Sequence, residues 1–310
     1  MSSINKNALV FGGAGFLGSH VADALTEEGY HVKIFDCRNS PYLQPSQEMI
    51  VGDIMDLDKV KKAVQGCDIV YNFAGVADID EARFNPKKTA NYNIIGTIHT
   101  LEAARQAKVG RYAYASSIYV YSNQGSFYRA SKQAAERFIE TYQEVYELNY
   151  TILRYGSLYG RRADSRNMIY KLLSNALQNK KMVYPGSGSE LREYINVLDA
   201  ARASIKILDQ EYANQHIVIT GNEKMRVKDL MTMISEITGS IIEHEFTGKE
   251  IEGHYFITPY SFNPKIGKKL VATYHIDMGQ GLIDCLAELH QKSSSNLQIE
   301  EDWLLNSKDN

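Results

Sequence analysis

Apolar residues fall along this chain in two alternating patterns. Short continuous runs occupy positions 8–11, 31–35, 49–51, 68–75 with its turn, 111–115, 150–154 and 216–219. Between them apolar residues recur every three or four positions. Examples are Val21, Ala22 and Leu25; Ile94, Ile95, Ile98, Leu101 and Ala104; Ala135, Phe138, Ile139, Tyr142 and Val145; and Val227, Leu230, Met231, Ile234 and Ile237. The first pattern predicts buried strands and the second amphipathic helices. Their alternation predicts an α/β fold with a doubly wound parallel sheet. A helix is expected over about 90–107, with Asn93 the polar exception on its apolar face, and Gly239 should cap the helix that starts at Val227.

The chemistry begins where the first strand ends. Gly12, Gly15 and Gly18 recur at every third position between a strand and a helix opening. That setting suits a tight turn, close approach to a diphosphate, and anion binding at a helix start. The second strand ends at Asp36, eighteen residues beyond Gly18, near the ~20 at which an acid holds the adenosine ribose. A carboxylate there repels a 2′-phosphate, so the cofactor reads as NAD rather than NADP, with Arg38 softening the preference. Asp53, after the third strand, is placed either to accept from the adenine amino group or to cap the helix from Leu57. Ala74 and Gly75, after the fourth, are small where a flat cofactor needs backbone access.

The fifth strand delivers Ser116 and Ser117, and a helix follows with Tyr128 and Lys132 at i and i+4 on one face. A phenol that titrates near 10 needs roughly 4 kcal/mol of stabilisation to serve as a base at neutral pH. A nearby ammonium and a cationic nicotinamide both act in that direction. Alone, the spacing would describe a surface tyrosine and lysine; after a dinucleotide fold and a strand-end serine pair, it describes a reacting centre.

Composition adds boundaries. The chain has 310 residues, 44 % of them apolar and 23 % charged, with net charge −3. Nothing there attracts nucleic acid or an anionic membrane. No apolar run is long enough to span a bilayer, and the polar positions 2–6 are not a signal peptide. Cys37, Cys67 and Cys285 are too scattered for a disulfide framework or a metal site, which points to the cytoplasm. The eight histidines lack ligand spacing and read as structural or solvated.

The ordered set Gly12-x-x-Gly15-x-x-Gly18, Asp36, Gly52-Asp53-Ile54, Asn93-Ile94-Ile95-Gly96-Thr97, Ser116-Ser117-x-x-Val120-Tyr121, Tyr128-x-x-x-Lys132, Leu153-Arg154-Tyr155 with Tyr159-Gly160, and Arg192 to Val197 with Asp199 resembles the nucleotide-sugar epimerase/dehydratase branch of the extended short-chain dehydrogenase/reductases, over residues 7–290. The resemblance implies a Rossmann domain over 1–156 plus about 214–240, a smaller substrate-binding lobe over about 157–213 and 241–290, and a polar tail over 291–310, in which Trp303 to Leu305 could dock. It implies NAD held by Gly12, Gly15, Phe16, Leu17, Asp36, Asp53, Ile54, Ala74 and Lys132, and catalysis by Ser117, Tyr128 and Lys132. It further implies a nucleotide-diphosphate sugar bound by Ser117, Ser157, Asn167, Tyr184 and Arg192, and a homodimer through a four-helix bundle built on the Asn93 and Tyr128 helices. Surface polysaccharide biosynthesis is the usual setting of this branch.

The implied reaction is oxidation at sugar C4. An epimerase returns the hydride to the other face of the keto sugar; a 4-dehydrogenase or 4-ketoreductase makes a net redox change. A silent NAD-binding protein is the remaining alternative. Ile118 and Tyr119 replace the acidic pair that dehydratases of the branch carry after the catalytic serine or threonine, which argues against 4,6-dehydration. The short segment from Ser117 to Tyr128 implies a more open sugar pocket, and Ser157 replaces a common asparagine.

Overall fold

The computed structural model describes residues 6–239, 241–248, 253–258, 268–270 and 274–291. The tail over 291–310, including Trp303, lies outside the described residues beyond Gln291. Strands β1 (Asn7–Phe11), β2 (His31–Asp36), β3 (Glu48–Val51), β4 (Ile69–Asn72), β5 (Arg111–Ser117) and β6 (Tyr150–Tyr155) occur where the apolar runs predict them. They join β10 (Gln215–Ile219) and the two-residue β13 (Lys268–Lys269) in one parallel sheet, ordered β13-β10-β6-β5-β4-β1-β2-β3. Every residue of β4 and β6 is buried, as central strands covered on both faces must be. Strand order reverses between β1 and β4, so the turns after them lie side by side. That reversal is where ligands bind in open α/β sheets.

Helices α1 (Phe16–Glu27) and α2 (Leu57–Val64) follow β1 and β3. After β4 come α3 (Ile79–Phe84), α4 (Pro86–Ala90) and α5 (Gly96–Gln106). The expected helix over about 90–107 is interrupted: Asn91–Ile95 form a π-helical turn between α4 and α5. Its Asn93 side chain accepts from Val76 N–H at 2.7 Å and donates to Val76 C=O at 3.0 Å and Ser131 Oγ at 2.9 Å. The polar exception therefore ties the turn after β4 to the helix that follows β5, α6 (Ser126–Tyr146).

The smaller lobe contains β7 (Ser157–Tyr159), β9 (Leu191–Asn196) and β11 (Lys224–Arg226) in one sheet, and β8 (Lys181–Tyr184) with β12 (Glu243–Phe246) in another. Its core joins α7 (Met168–Asn179), α9 (Val227–Thr238) and α10 (278–291) through Leu172, Leu173, Leu230, Met231, Ile234 and Leu282. Two sequence boundaries need correction. Helix α8 (Val197–Lys206), expected in the smaller lobe, packs its small residues Ala200, Ala201 and Ala203 into the core that holds Val21, Ala22 and Leu25 of α1. Helix α9, expected beside the main sheet, buries its apolar face in the smaller lobe, ending as predicted at Gly239 with φ +59°. Periodicity shows that a helix has an apolar face but not which core receives it.

Candidate active site

The first element of the site is the glycine turn. Gly12 has φ +74°, and a Cβ there would meet Ala74 N at 2.7 Å, across the reversal point of the sheet. A Cβ on Gly18 would strike the Gly12 carbonyl. Helix α1 begins after Gly15 with no side-chain cap and no acid in its first turn. Its leading N–H groups therefore face the turn with no cap or acid from the helix itself, an arrangement that suits a phosphate. Asp36 Oδ2 accepts from Ala14 N–H at 3.1 Å, so the acid ending β2 leans over the turn. A glycine cradle with no room for side chains, an uncapped helix and a strand-end carboxylate fit a dinucleotide.

Asp53 resolves one open alternative. Asp56, not Asp53, caps α2, accepting from Lys59 N–H at 3.0 Å. Asp53 Oδ1 accepts from Met55 N–H at 2.9 Å, and its Oδ2 accepts from the Tyr92 hydroxyl at 3.1 Å. Ile54 is buried, and its methyl groups pack on Gly96.

The second element joins the end of β5 to α6. Ser117, ending β5, lies close enough to the Tyr128 phenol to favour its ionised form. Lys132 Nζ donates to the Ala115 carbonyl at 2.7 Å, and lies 4.7 Å from the Tyr114 ring centroid and 5.8 Å from that of Tyr128. The three residues come together as the sequence predicts, but their electrostatics differ. Burial pushes the Tyr128 phenol up to about 12, with the nearby Ser117 hydroxyl opposing it. Burial pushes the Lys132 ammonium down to about 8, with attraction from Glu136 opposing. Desolvation dominates the titration of both groups, and the expected lowering of the phenol depends on a cationic nicotinamide as well as this lysine.

The third element is a wall supplied largely by the smaller lobe. The Tyr119 hydroxyl meets His254 Nδ1 at 2.9 Å. The Tyr119 ring lies edge-on to Tyr128 with centroids 6.1 Å apart, and 4.6 Å from Tyr255. The Tyr255 hydroxyl meets Ser157 Oγ at 3.4 Å, and the Arg192 guanidinium stacks on the Tyr255 ring at 4.4 Å. Arg192 Nη1 also donates to the carbonyls of Leu191 and Phe256, both at 3.1 Å. Tyr184 is buried close enough to Arg192 to feel its charge, while burial itself pushes the Tyr184 phenol up to about 12.

One expectation changes here. The short segment before Tyr128 does not leave an open pocket, because Tyr119 and residues 254–255 pack around it and Tyr128 is only 9 % exposed. His254, read from sequence as structural or solvated, makes a structural contact with Tyr119. Asn167 has local partners: it caps α7 by accepting from Tyr170 N–H at 3.2 Å and donates to the Leu158 carbonyl at 2.8 Å. Tyr255 and His254 were missed by sequence reasoning; the only available signal was an aromatic cluster, His254-Tyr255-Phe256, in a weakly patterned stretch. Among the described residues no group of histidines, cysteines and acids could hold a metal ion.

Comparison with known proteins adds an independent line. The family model described as "NAD dependent epimerase/dehydratase family" matches residues 8–220. The chain is 30 % identical over 252 residues to a putative UDP-glucose 4-epimerase of Methanocaldococcus jannaschii, covering 74 % of this chain and 82 % of the relative. It is 30 % identical over 266 residues to the dTDP-D-glucose 4,6-dehydratase of Mus musculus, covering 76 % and 74 %. Among solved structures, a UDP-N-acetylglucosamine 4-epimerase from Methanobrevibacter ruminantium, in complex with UDP-N-acetylmuramic acid, superposes with TM-score 0.82 at 25 % identity, covering 93 % of this chain and 99 % of that one. A UDP-glucuronic acid 4-epimerase from Bacillus cereus, in complex with UDP-glucuronic acid and NAD, shares the fold with TM-score 0.81 at 23 % identity, covering 92 % and 99 %.

Proposed function

The chain belongs to the NAD dependent epimerase/dehydratase family, and from that premise we propose that it is a nucleotide-sugar 4-epimerase acting by transient oxidation at sugar C4. One observation carries the reading: Ser117, Tyr128 and Lys132 converge from β5 and α6, two strands along the sheet from the strand that opens the glycine turn. Gly12, Gly15, Phe16, Leu17, Asp36, Asp53, Ile54, Ala74 and Lys132 would hold the NAD, whose oxidised ring supplies a hydride acceptor and a positive charge when bound.

Tyr128 takes the proton from the C4 hydroxyl, and Ser117 hydrogen-bonds the same oxygen. A phenol pushed up to about 12 is a poor base at neutral pH; the cofactor's positive charge and the Lys132 ammonium together favour its ionised form. Tyr128 is thus ionised chiefly once the cofactor is in place, which limits proton abstraction to the loaded enzyme. Arg192 and Asn167 would face the sugar's diphosphate, a role the planar guanidinium suits by geometry. Tyr184 would lie beside the base and Ser157 near the sugar.

A second reading, net 4-dehydrogenase or 4-ketoreductase, is favoured by the packing of the Tyr119 ring against Tyr128, backed by Tyr255. A wall that kept the keto sugar from turning would block return of the hydride to its other face. The two readings are separated by incubating the enzyme and NAD with UDP-, dTDP-, GDP- and CDP-sugars. The epimerase yields the 4-epimer without accumulating NADH; stoichiometric NADH identifies the redox enzyme. Failure to turn over any nucleotide sugar would overturn both.

We further propose a homodimer through α5 and α6. Phe127, Phe138 and Val145 lie along one face of α6 and are 47 %, 41 % and 61 % exposed, an apolar stripe suited to burial against a second helix pair. Phe138→Glu should convert the dimer to monomer in sedimentation velocity; an unchanged sedimentation coefficient rejects this interface. The unpaired cysteines suit a cytoplasmic enzyme, and surface polysaccharide biosynthesis is the setting proposed for it.

A further inference from the structure

Beneath the candidate site lies a buried ionic cluster that the chemistry above does not use. Glu136 follows Lys132 by one turn on α6, and it and Arg154 of β6 are 5 % and 1 % exposed. Arg154 donates through Nε to Glu136 Oε1 at 3.0 Å and through Nη2 to Oε2 at 2.6 Å. Its Nη1 donates to the Tyr121 hydroxyl at 2.6 Å, and Ser116 Oγ donates to Glu136 Oε1 at 2.5 Å.

Stability alone does not call for such a cluster, because apolar side chains of similar volume hold an interior as well as a buried ion pair does. What sets this carboxylate apart is the set of segments it joins. Through Ser116 it holds the residue next to Ser117; through its own helix it lies one turn from Lys132; through Arg154 and Tyr121 it reaches the turn that carries Tyr119. Lys132 itself is 6 % exposed and hydrogen-bonds a neutral carbonyl.

We propose that Glu136 is a positioning residue for the reacting centre: clamped by Arg154 and Ser116, it fixes the end of β5 against the Tyr128–Lys132 face and sets a buried negative charge one helical turn from Lys132. The role rests on Lys132 belonging to that centre. The groups facing Lys132 are Tyr114 from β5, Tyr128 and Glu136 from α6, and the Ala115 carbonyl. Burial holds both phenols un-ionised, so Glu136 supplies the opposing charge. Facing Glu136 are Arg154 and Tyr150 from β6, Ser116 from β5 and Tyr121 from the turn. On the next turn of α6, Glu140 pairs with His216 of β10 at 2.9 Å. Desolvation alone drives Lys132 toward its neutral form, and Glu136 holds it near 8.

The test follows lysine 13Cε resonances of the cofactor-free protein across neutral and alkaline pH, with Lys132 assigned by its disappearance in Lys132→Met. Glu136→Gln with Arg154→Met removes both buried charges, so neither is left unpaired. The Lys132 midpoint should then fall by about one pH unit. Arg154→Met alone leaves the carboxylate unmasked and should move the midpoint upward. Opposite shifts in the two folded variants support the proposal. An unchanged midpoint in either folded variant, or loss of folding in both, overturns it and leaves the cluster a purely structural one. Turnover is not read, so inactivity on every sugar would sink the proposed epimerase while leaving this result standing.

Discussion

The floor of the site and its wall are built by different means. The floor, Ser117 with Tyr128 and Lys132, comes from one strand end and the helix that follows it, fixed below by the Arg154–Glu136 pair. The wall joins Tyr119 to His254, a hydrogen bond between residues 135 positions apart in the chain. Tyr255, Ser157 and Arg192 complete it from three segments of the smaller lobe. The floor belongs to a parallel sheet whose geometry leaves little choice of position. The wall depends on how the smaller lobe meets the sheet, so its residues can change without disturbing Ser117, Tyr128 and Lys132.

The sharpest way to break this division is Tyr128→Phe, which removes the proposed proton acceptor and little volume. It should lower kcat by about 10²–10⁴-fold with NAD affinity nearly unchanged in fluorescence titration. Retained turnover would place the chemistry elsewhere, in the wall.

A smaller effect separates the two regions by pH. The Lys132 ammonium titrates near 8 in the folded protein but near 10.4 unfolded. Below pH 8 both states are protonated, and burying the charge costs up to roughly 3 kcal/mol. Between these values the unfolded chain binds more protons, so stability rises with pH. Urea midpoints of the wild type, referred to those of Lys132→Met, should therefore increase from pH 8 to about pH 10. Tyr128 acts oppositely at higher pH: with its phenol held near 12, stability is lost as pH climbs from about 10 toward that value. A flat difference curve through the first interval would mean that the floor is wetter than its burial indicates.

The smallest expected effect belongs to the wall. Tyr255→Ala removes the ring between Tyr119 and Arg192 and should raise KM about 3- to 10-fold, the worth of one packed aromatic pair, with kcat changed less. A kcat loss matching that of Tyr128→Phe would erase the distinction between floor and wall.

Most of the floor was legible because its determinants are local. A strand–glycine–helix sequence and a tyrosine and lysine one turn apart specify neighbours without knowledge of the rest of the chain. Glu136 was legible only in part: its i+4 spacing from Lys132 places it on the reactive face, but the partner that makes its burial tolerable, Arg154, comes from another strand. The wall was legible only in part, through Ser157 and Arg192, which the family resemblance named. His254 has no spacing signature, and the openness inferred from a short loop ignored the distant segment that fills the gap. The same limit misassigned α8 and α9, whose apolar faces are plain in the sequence while their destinations are not.

By itself, the sequence determined the alternation of strands and helices, the glycine turn with its acidic partner at Asp36, and the pairing of Tyr128 with Lys132. Those features follow from backbone periods and steric rules that act over a few residues. Only the tertiary structure decided that desolvation raises Tyr128 and lowers Lys132, that Arg154 pairs with Glu136 one turn along α6, and that Tyr119, backed by Tyr255, packs against Tyr128. Burial and charge at one point are sums over every segment that packs there, and no local stretch of chain contains that sum.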